Sequence, residues 1–219
     1  LPNAQYILGT IYYPKDLNKS IYYLELAAKQ NYLDSQSILG ELYNCNGLSI
    51  YNPKKAMYYY KLAADNNNPI AQYNLYVFYL SGVYVQRDVQ KAIYYLSLSA
   101  NQGIPEALFN LGYFYSNGKY LQRDITKAVY YYKMAAAKNF PLANHNLGFL
   151  YENGEYVSRD INKAIYYYKL SSNANYLPSI IRLSQIYDRG ELVDRDINKA
   201  IYYYKLASDQ NDIGSQINL

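Results

Sequence analysis

A period of 36 residues constrains this chain more than any other feature. The dipeptide Lys-Ala recurs at Lys55-Ala56, Lys91-Ala92, Lys127-Ala128, Lys163-Ala164 and Lys199-Ala200, each step being 36, and Lys19-Ser20 extends the series one step back. A fixed period in this range means stacked supersecondary units, each burying its apolar face against its neighbours, rather than one compact globule. The 219 residues therefore read as a single elongated array. Such stacks present surfaces to partners more readily than they build catalytic pockets.

The unit is clearest between Pro105 and Phe140. Ala107, Leu111, Phe114 and Tyr115 follow helical spacing and predict a first helix from about Glu106 to Tyr115. Pro105 fits its first turn, where a missing N–H is tolerated, and Gly118 ends it. Asp124 predicts the cap of a second helix. Ala128, Tyr131, Tyr132, Ala135 and Ala136 then make one helix face, small at both ends and bulky in the middle. The caps recur as Asp88, Asp124, Asp160 and Asp196, with Asn52-Pro53 as a variant. In the first helix Gly40, Gly112 and Gly148 share a register that reads as a close approach between helices. Tyr76 and Ser184 occupy that register elsewhere, and Tyr76 must either displace a neighbour or point outward.

The units are placed at about residues 1–33, 34–69, 70–104, 105–140, 141–177 and 178–212, with 213–219 starting a seventh. The first is shortened in the inter-helix loop around Tyr13-Pro14. The chain opens at Leu1 without a Met and stops inside a helical pattern, so a piece of a longer protein is expected.

The pattern A-x-x-x-L-G-x-x-Y-x-x-G, a short loop, then D-x-x-K-A-x-x-Y-Y-x-x-A-A resembles Sel1-like repeats, within the tetratricopeptide-like superfamily. Ala107, Leu111, Gly112, Tyr115, Gly118, Asp124, Lys127, Ala128, Tyr131, Tyr132, Ala135 and Ala136 carry the match. Where that family often has Trp on the second helix, this chain has Tyr59, Tyr95, Tyr131, Tyr167 and Tyr203, each with a hydroxyl that must be bonded or reach water. The resemblance implies an all-α fold, an α-solenoid forming a right-handed superhelix of about six helix-turn-helix repeats. It also implies an adaptor or scaffold role.

In related arrays the first helices line a concave groove, at positions three before and one after the packing glycine. Those positions here include Thr10, Glu41, Tyr73, Val77, Phe109, Tyr113, His145, Phe149, Ile181 and Gln185. Aromatic anchors in a concave surface suit a protein or peptide partner, and Phe109 with Phe149 is the more suggestive pair. The competing account packs the earlier ring of each unit between neighbouring first helices. Asn74, Asn110 and Asn146 stand two before the glycine register, with Arg182 continuing the series. Such a ladder can bond a peptide backbone, since an amide offers both donor and acceptor, or it can serve bonds between helices. The expected partner-binding groove thus comprises Tyr73, Asn74, Phe109, Asn110, Tyr113, His145, Asn146, Phe149 and Arg182.

Catalytic and metal chemistry is not indicated. His145 is the single histidine and Cys45 the single cysteine, so neither an ordinary transition-metal site nor a disulfide framework follows, and no cofactor is expected. Ser116-Asn117-Gly118-Lys119 matches the bare S-x-x-K pattern of penicillin-binding enzymes, but it falls in the repeat's turn rather than at a helix start. The Arg-Asp pairs at 87–88, 123–124, 159–160 and 195–196 read as cap and flank. Lys61, Lys133, Lys169 and Lys205 form a further register, read as a solvated face. The net charge of +4 is a weak signal for nucleic acid, and none is expected as partner; no apolar run spans a bilayer, so no membrane insertion is expected. The 33 tyrosines, alongside many Asn, Ile and Lys, fit AT-rich coding. The reading is a non-catalytic protein-protein interaction scaffold. The alternatives are a penicillin-binding or β-lactamase-like enzyme and a spacer array whose activity lies in other domains.

Overall fold

In the computed structural model of the chain, residues 1–154, 156–210, 212, 214 and 215 are described. The seventh unit expected at 213–219 falls outside them except for Gly214 and Ser215. Twelve helices form the regular structure of the described residues, and no strand occurs among them. Two compact units divide the chain, Leu1–Ala107 and Leu108–Leu219. The first holds α1 (Pro2–Tyr12), α2 (Leu17–Ala28), α3 (Leu33–Asn44), α4 (Pro53–Asp65), α5 (Pro69–Ser81) and α6 (Val89–Asn101). The second holds most of α7 (Pro105–Asn117), then α8 (Ile125–Ala136), α9 (Pro141–Asn153), α10 (Ile161–Asn173), α11 (Leu177–Arg189) and α12 (Ile197–Ser208). Within each unit consecutive helices pack in chain order, which is the arrangement of an α-solenoid. None of the described helices is long and apolar enough to cross a membrane.

The second helices all start on the same device. Asp16, Asn52, Asp88, Asp124, Asp160 and Asp196 accept the backbone N–H of the lysine three residues on, at 2.9–3.1 Å. The five Asp caps also receive that lysine's ammonium at 2.7–3.5 Å. Four of the six first helices end at left-handed glycines, Gly82, Gly118, Gly154 and Gly190, where φ lies between 66° and 71°, while α1 and α3 end on the extended residues Tyr13 and Cys45. The arginine that flanks each following cap closes this turn. Arg87, Arg123, Arg159 and Arg195 donate through Nε to the carbonyls of Leu80, Ser116, Glu152 and Asp188 at 2.7–3.1 Å. The chain leaves the second helices through another left-handed position, Asn31, Asn67, Gly103, Asn139 and Asn175, again 36 residues apart. Asparagine tolerates this conformation better than other side chains, which is why it alternates with glycine there.

The glycine register is a close approach, as the spacing predicted. A Cβ built on Gly40, Gly112 or Gly148 would stand 2.5–2.7 Å from a ring carbon of Tyr60, Tyr132 or Tyr168 on the paired second helix. These three rings are among the largest fully buried side chains. Their hydroxyls meet polar groups at the end of the first helix: Asn44 for Tyr60, Ser116 for Tyr132, and Glu152 for Tyr168 at 2.9 Å. Tyr204 likewise reaches Asp188 at 3.2 Å. The third repeat exchanges all three parts. Tyr76 stands at the glycine register, Leu96 replaces the facing tyrosine and Leu80 replaces the polar group. Tyr76 is buried and does not point outward. The ring has changed helices, and the second helix gives up volume to admit it.

A second aromatic layer runs through every repeat. Tyr23, Tyr59, Tyr95, Tyr131, Tyr167 and Tyr203 stack nearly parallel on Tyr12, Tyr43, Tyr79, Tyr115, Tyr151 and Tyr187, with centroids 5.7–6.0 Å apart. The cap-paired lysine sits over the first-helix ring of each stack, from Lys55 on Tyr43 at 4.7 Å to Lys91 on Tyr79 and Lys163 on Tyr151 at 5.5 Å. A half-buried to buried stack under a cation takes the place of a larger indole ring.

Candidate functional site on the first-helix face

Side chains one residue after the glycine register stand out from the first helices. Tyr113 on α7 and Phe149 on α9 are 46% and 56% exposed, and Val77 on α5 is exposed too. Side chains three before the register behave differently. Phe109 packs against Tyr113, Tyr132 and Phe140 with centroids 5.4–6.4 Å away. His145 bonds through Nδ1 to the Ser179 hydroxyl at 2.8 Å and lies between the rings of Tyr168 and Tyr176. Burial depresses its pKa, opposed by the Glu152 carboxylate, which favours the neutral imidazole. In the first unit Tyr73 packs on Tyr76 at 5.5 Å.

The polar ladder divides as well. Asn74 donates to the carbonyl of Ile70 in its own helix at 3.0 Å. Asn146 meets the buried hydroxyl of Tyr132, and Asn110 is half-buried. Arg182 forms a two-pronged ion pair with the buried carboxylate of Glu152 and also reaches Gln185 at 3.3 Å. Burial raises the Glu152 pKa, but the bonds from Arg182 and Tyr168 more than offset this and hold it below the ordinary range.

One pocket of the second unit gathers three of the expected groove residues. Tyr113, Asn146 and Phe149 line an opening of about 270 Å³ with Ser116, Arg123, Ile125, Tyr132, Leu150 and Tyr156. Arg123 closes one side: its guanidinium carbon lies 4.7 Å from the Tyr156 ring centre and it donates to the Tyr156 hydroxyl. The lining thus combines exposed aromatic faces, one amide and one cation, without a carboxylate. Phe109, Asn110, His145 and Arg182 do not line it, nor do Tyr73 and Asn74 of the first unit. Arg123 and Tyr156 lie in the loops between helices and Ser116 in the last turn of α7, outside the groove positions that the spacing singles out. The signal was available in the 36-residue series Arg87, Arg123, Arg159, Arg195 and Tyr84, Tyr120, Tyr156.

A larger, mostly apolar cavity of about 380 Å³ opens in the first unit around Gly9, Leu24, Thr10 and Glu41. It lies where Leu24 stands at the register of the ring-bearing Tyr60, so it reflects the shorter side chain of the first repeat. The two ends of the S-x-x-K string meet different tyrosines. Ser116 meets the Tyr132 hydroxyl, while the Lys119 ammonium lies over the Tyr120 ring at 5.3 Å.

The Sel1 repeat profile matches residues 2–32, 33–68, 69–104, 105–140, 141–176 and 177–212. The chain belongs to the Sel1 repeat family. No curated protein matches it. Among solved structures, it is similar to c5321, a protective antigen present in uropathogenic Escherichia coli strains displaying an SLR fold. The TM-score is 0.94 at 26% identity, covering 100% of this chain and 48% of that one. A Sel1 repeat protein from Oxalobacter formigenes aligns with a TM-score of 0.88 and 26% identity over 98% of this chain and 64% of the other. The chain therefore spans about half the length of the first protein and less than two thirds of the second. Immunity protein PA5088 from Pseudomonas aeruginosa shares the fold alone, at 18% identity and a TM-score of 0.59, over 96% of this chain and 81% of its own. Sel1 repeat proteins are generally protein-interaction scaffolds and typically non-catalytic.

Proposed function

We propose that this Sel1 array is a non-catalytic adaptor that holds a peptide segment of a partner protein on the first-helix face of its second unit. The observation that carries the reading is the pair Tyr113 and Phe149, exposed on α7 and α9 and lining the same opening as Arg123 and Asn146. Two aromatic faces can clamp an apolar or aromatic side chain. The guanidinium and the amide can take a carboxylate or a backbone carbonyl beside it. Phe109 supports this surface by packing on Tyr113 and Tyr132, while His145 and Arg182 are engaged with Ser179 and Glu152 outside the opening.

Selection of a random displayed-peptide library on the native chain tests this, followed by affinity measurement with Tyr113→Ala and Phe149→Ala. Hot-spot residues of this type contribute about 2 kcal/mol or more, so each change should weaken a selected peptide roughly 30-fold. Circular dichroism establishes that the variants fold. Peptides that bind both variants as tightly as the native chain would place recognition elsewhere. A library that yields no binder would favour a spacer role.

A further inference from the structure

We infer that the second-helix face of the Leu108–Leu219 unit docks onto an anionic lipid bilayer surface. The inference concerns a different surface from the peptide site and is independent of it. Three tyrosines one period apart, Tyr130, Tyr166 and Tyr202, are 58%, 57% and 60% exposed on α8, α10 and α12. Each stands edge-on against the stacked tyrosine that follows it, with centroids 5.0–5.3 Å apart and planes at 71–75°. The exposed rings are therefore held in one repeated orientation by a half-buried to buried layer. Three residues on, and so on the same helix face, stand Lys133, Lys169 and Lys205, all exposed.

The charge on this face is one-sided. Helices α8, α10 and α12 contain no Asp or Glu; their nearest carboxylates in sequence are their own cap residues Asp124, Asp160 and Asp196 and, after α12, Asp209. Lys127, Lys163 and Lys199 are neutralised by their cap aspartates at 2.7–3.5 Å. Lys133, Lys169 and Lys205 make no ion pair among the described residues. The first unit does not repeat the pattern, because Glu25 and Ser97 take two of its three lysine positions. Tyrosine is an interfacial ring, with an apolar body and a hydroxyl that suits headgroup depth, and lysines beside it attract anionic lipid. These side chains stand on helix surfaces and none lines the pocket around Tyr113 and Phe149, which suits a broad surface better than a threaded strand. With no described helix able to cross a membrane, the contact is peripheral.

A lysine near an anionic surface strengthens binding roughly fivefold, so removing three should weaken it on the order of 100-fold. Flotation with phosphatidylcholine vesicles, with and without phosphatidylserine, tests this on the native chain, on Lys133→Gln/Lys169→Gln/Lys205→Gln, and on Tyr130→Ser/Tyr166→Ser/Tyr202→Ser. The native chain is expected to float only with phosphatidylserine present. The lysine variant should lose about that factor, and the tyrosine variant should also weaken. The lysine changes lie at exposed positions outside the core, so they remain informative if the tyrosine variant fails to fold. Absence of native flotation, or equal flotation of the lysine variant, would overturn the inference. Binding to soluble polyglutamate without binding to vesicles would overturn it in favour of an acidic polypeptide.

Discussion

The exchange in the third repeat predicts a strong coupling between Tyr76 and Leu96. Both are buried on the packed pair α5 and α6, at the registers held elsewhere by glycine and a ring. Tyr76→Gly empties the space of an aromatic side chain and places glycine inside a helix, which should destabilise by about 4 kcal/mol. Leu96→Tyr puts a second ring where, in Gly40, Gly112 and Gly148, even a Cβ would come within 2.5–2.7 Å of the tyrosine. Overpacking of that kind costs about 2 kcal/mol. If the sites were independent, the double variant would lose about 6 kcal/mol, the sum of the two. It instead restores the arrangement of Gly112 with Tyr132. The remaining loss is about 1 kcal/mol for the helical glycine and about 2 for a buried hydroxyl facing Leu80. The expected coupling is therefore about 3 kcal/mol, and adding Leu80→Ser should recover about 1 more by bonding that hydroxyl. Urea denaturation followed by circular dichroism measures all four variants. Additivity within about 0.5 kcal/mol would refute the exchange of volume between the helices.

Three further outcomes follow from the polar groups. Arg182→Ala leaves the buried Glu152 carboxylate without its cation and should destabilise by about 2–3 kcal/mol in urea, less than a fully buried pair because Arg182 is part-exposed. Adding Glu152→Gln should return part of that loss. His145 has a folded pKa below its unfolded 6.5, so its contribution is present above that value and is lost as pH falls through the folded value. The urea midpoint should decline as pH falls below the unfolded value of 6.5, and His145→Asn should flatten the decline. At Asp88 and Asp124 the cap bond from the lysine N–H holds the folded pKa below the ordinary carboxylate value. Their contribution is present above the unfolded value and lost as pH falls through the folded one, so Asp88→Asn/Asp124→Asn should reduce the acid sensitivity of a urea midpoint titration.

The sequence by itself determined the period, the helix pairs and their ends, because these follow from local chemistry. A capping carboxylate, a left-handed glycine and an apolar face each act within a few residues and recur every 36. Gly40, Gly112 and Gly148 were legible as close contacts for the same reason, since a register that holds only glycine in most units signals a missing volume. Only the tertiary structure decided what fills that volume, and it resolved Tyr76 as an inward ring. The outcome depends on Leu96, 20 positions away on another helix, and no local pattern links the two. The candidate site divides along the same line. Spacing placed Phe109, Tyr113, His145 and Phe149 on one face but could not separate those that pack from those that stand free, because helical registers one turn apart differ in exposure only through their neighbours. Arg123 and Tyr156 come together from two different loops, and that meeting is set by how the helices bring the loops into contact.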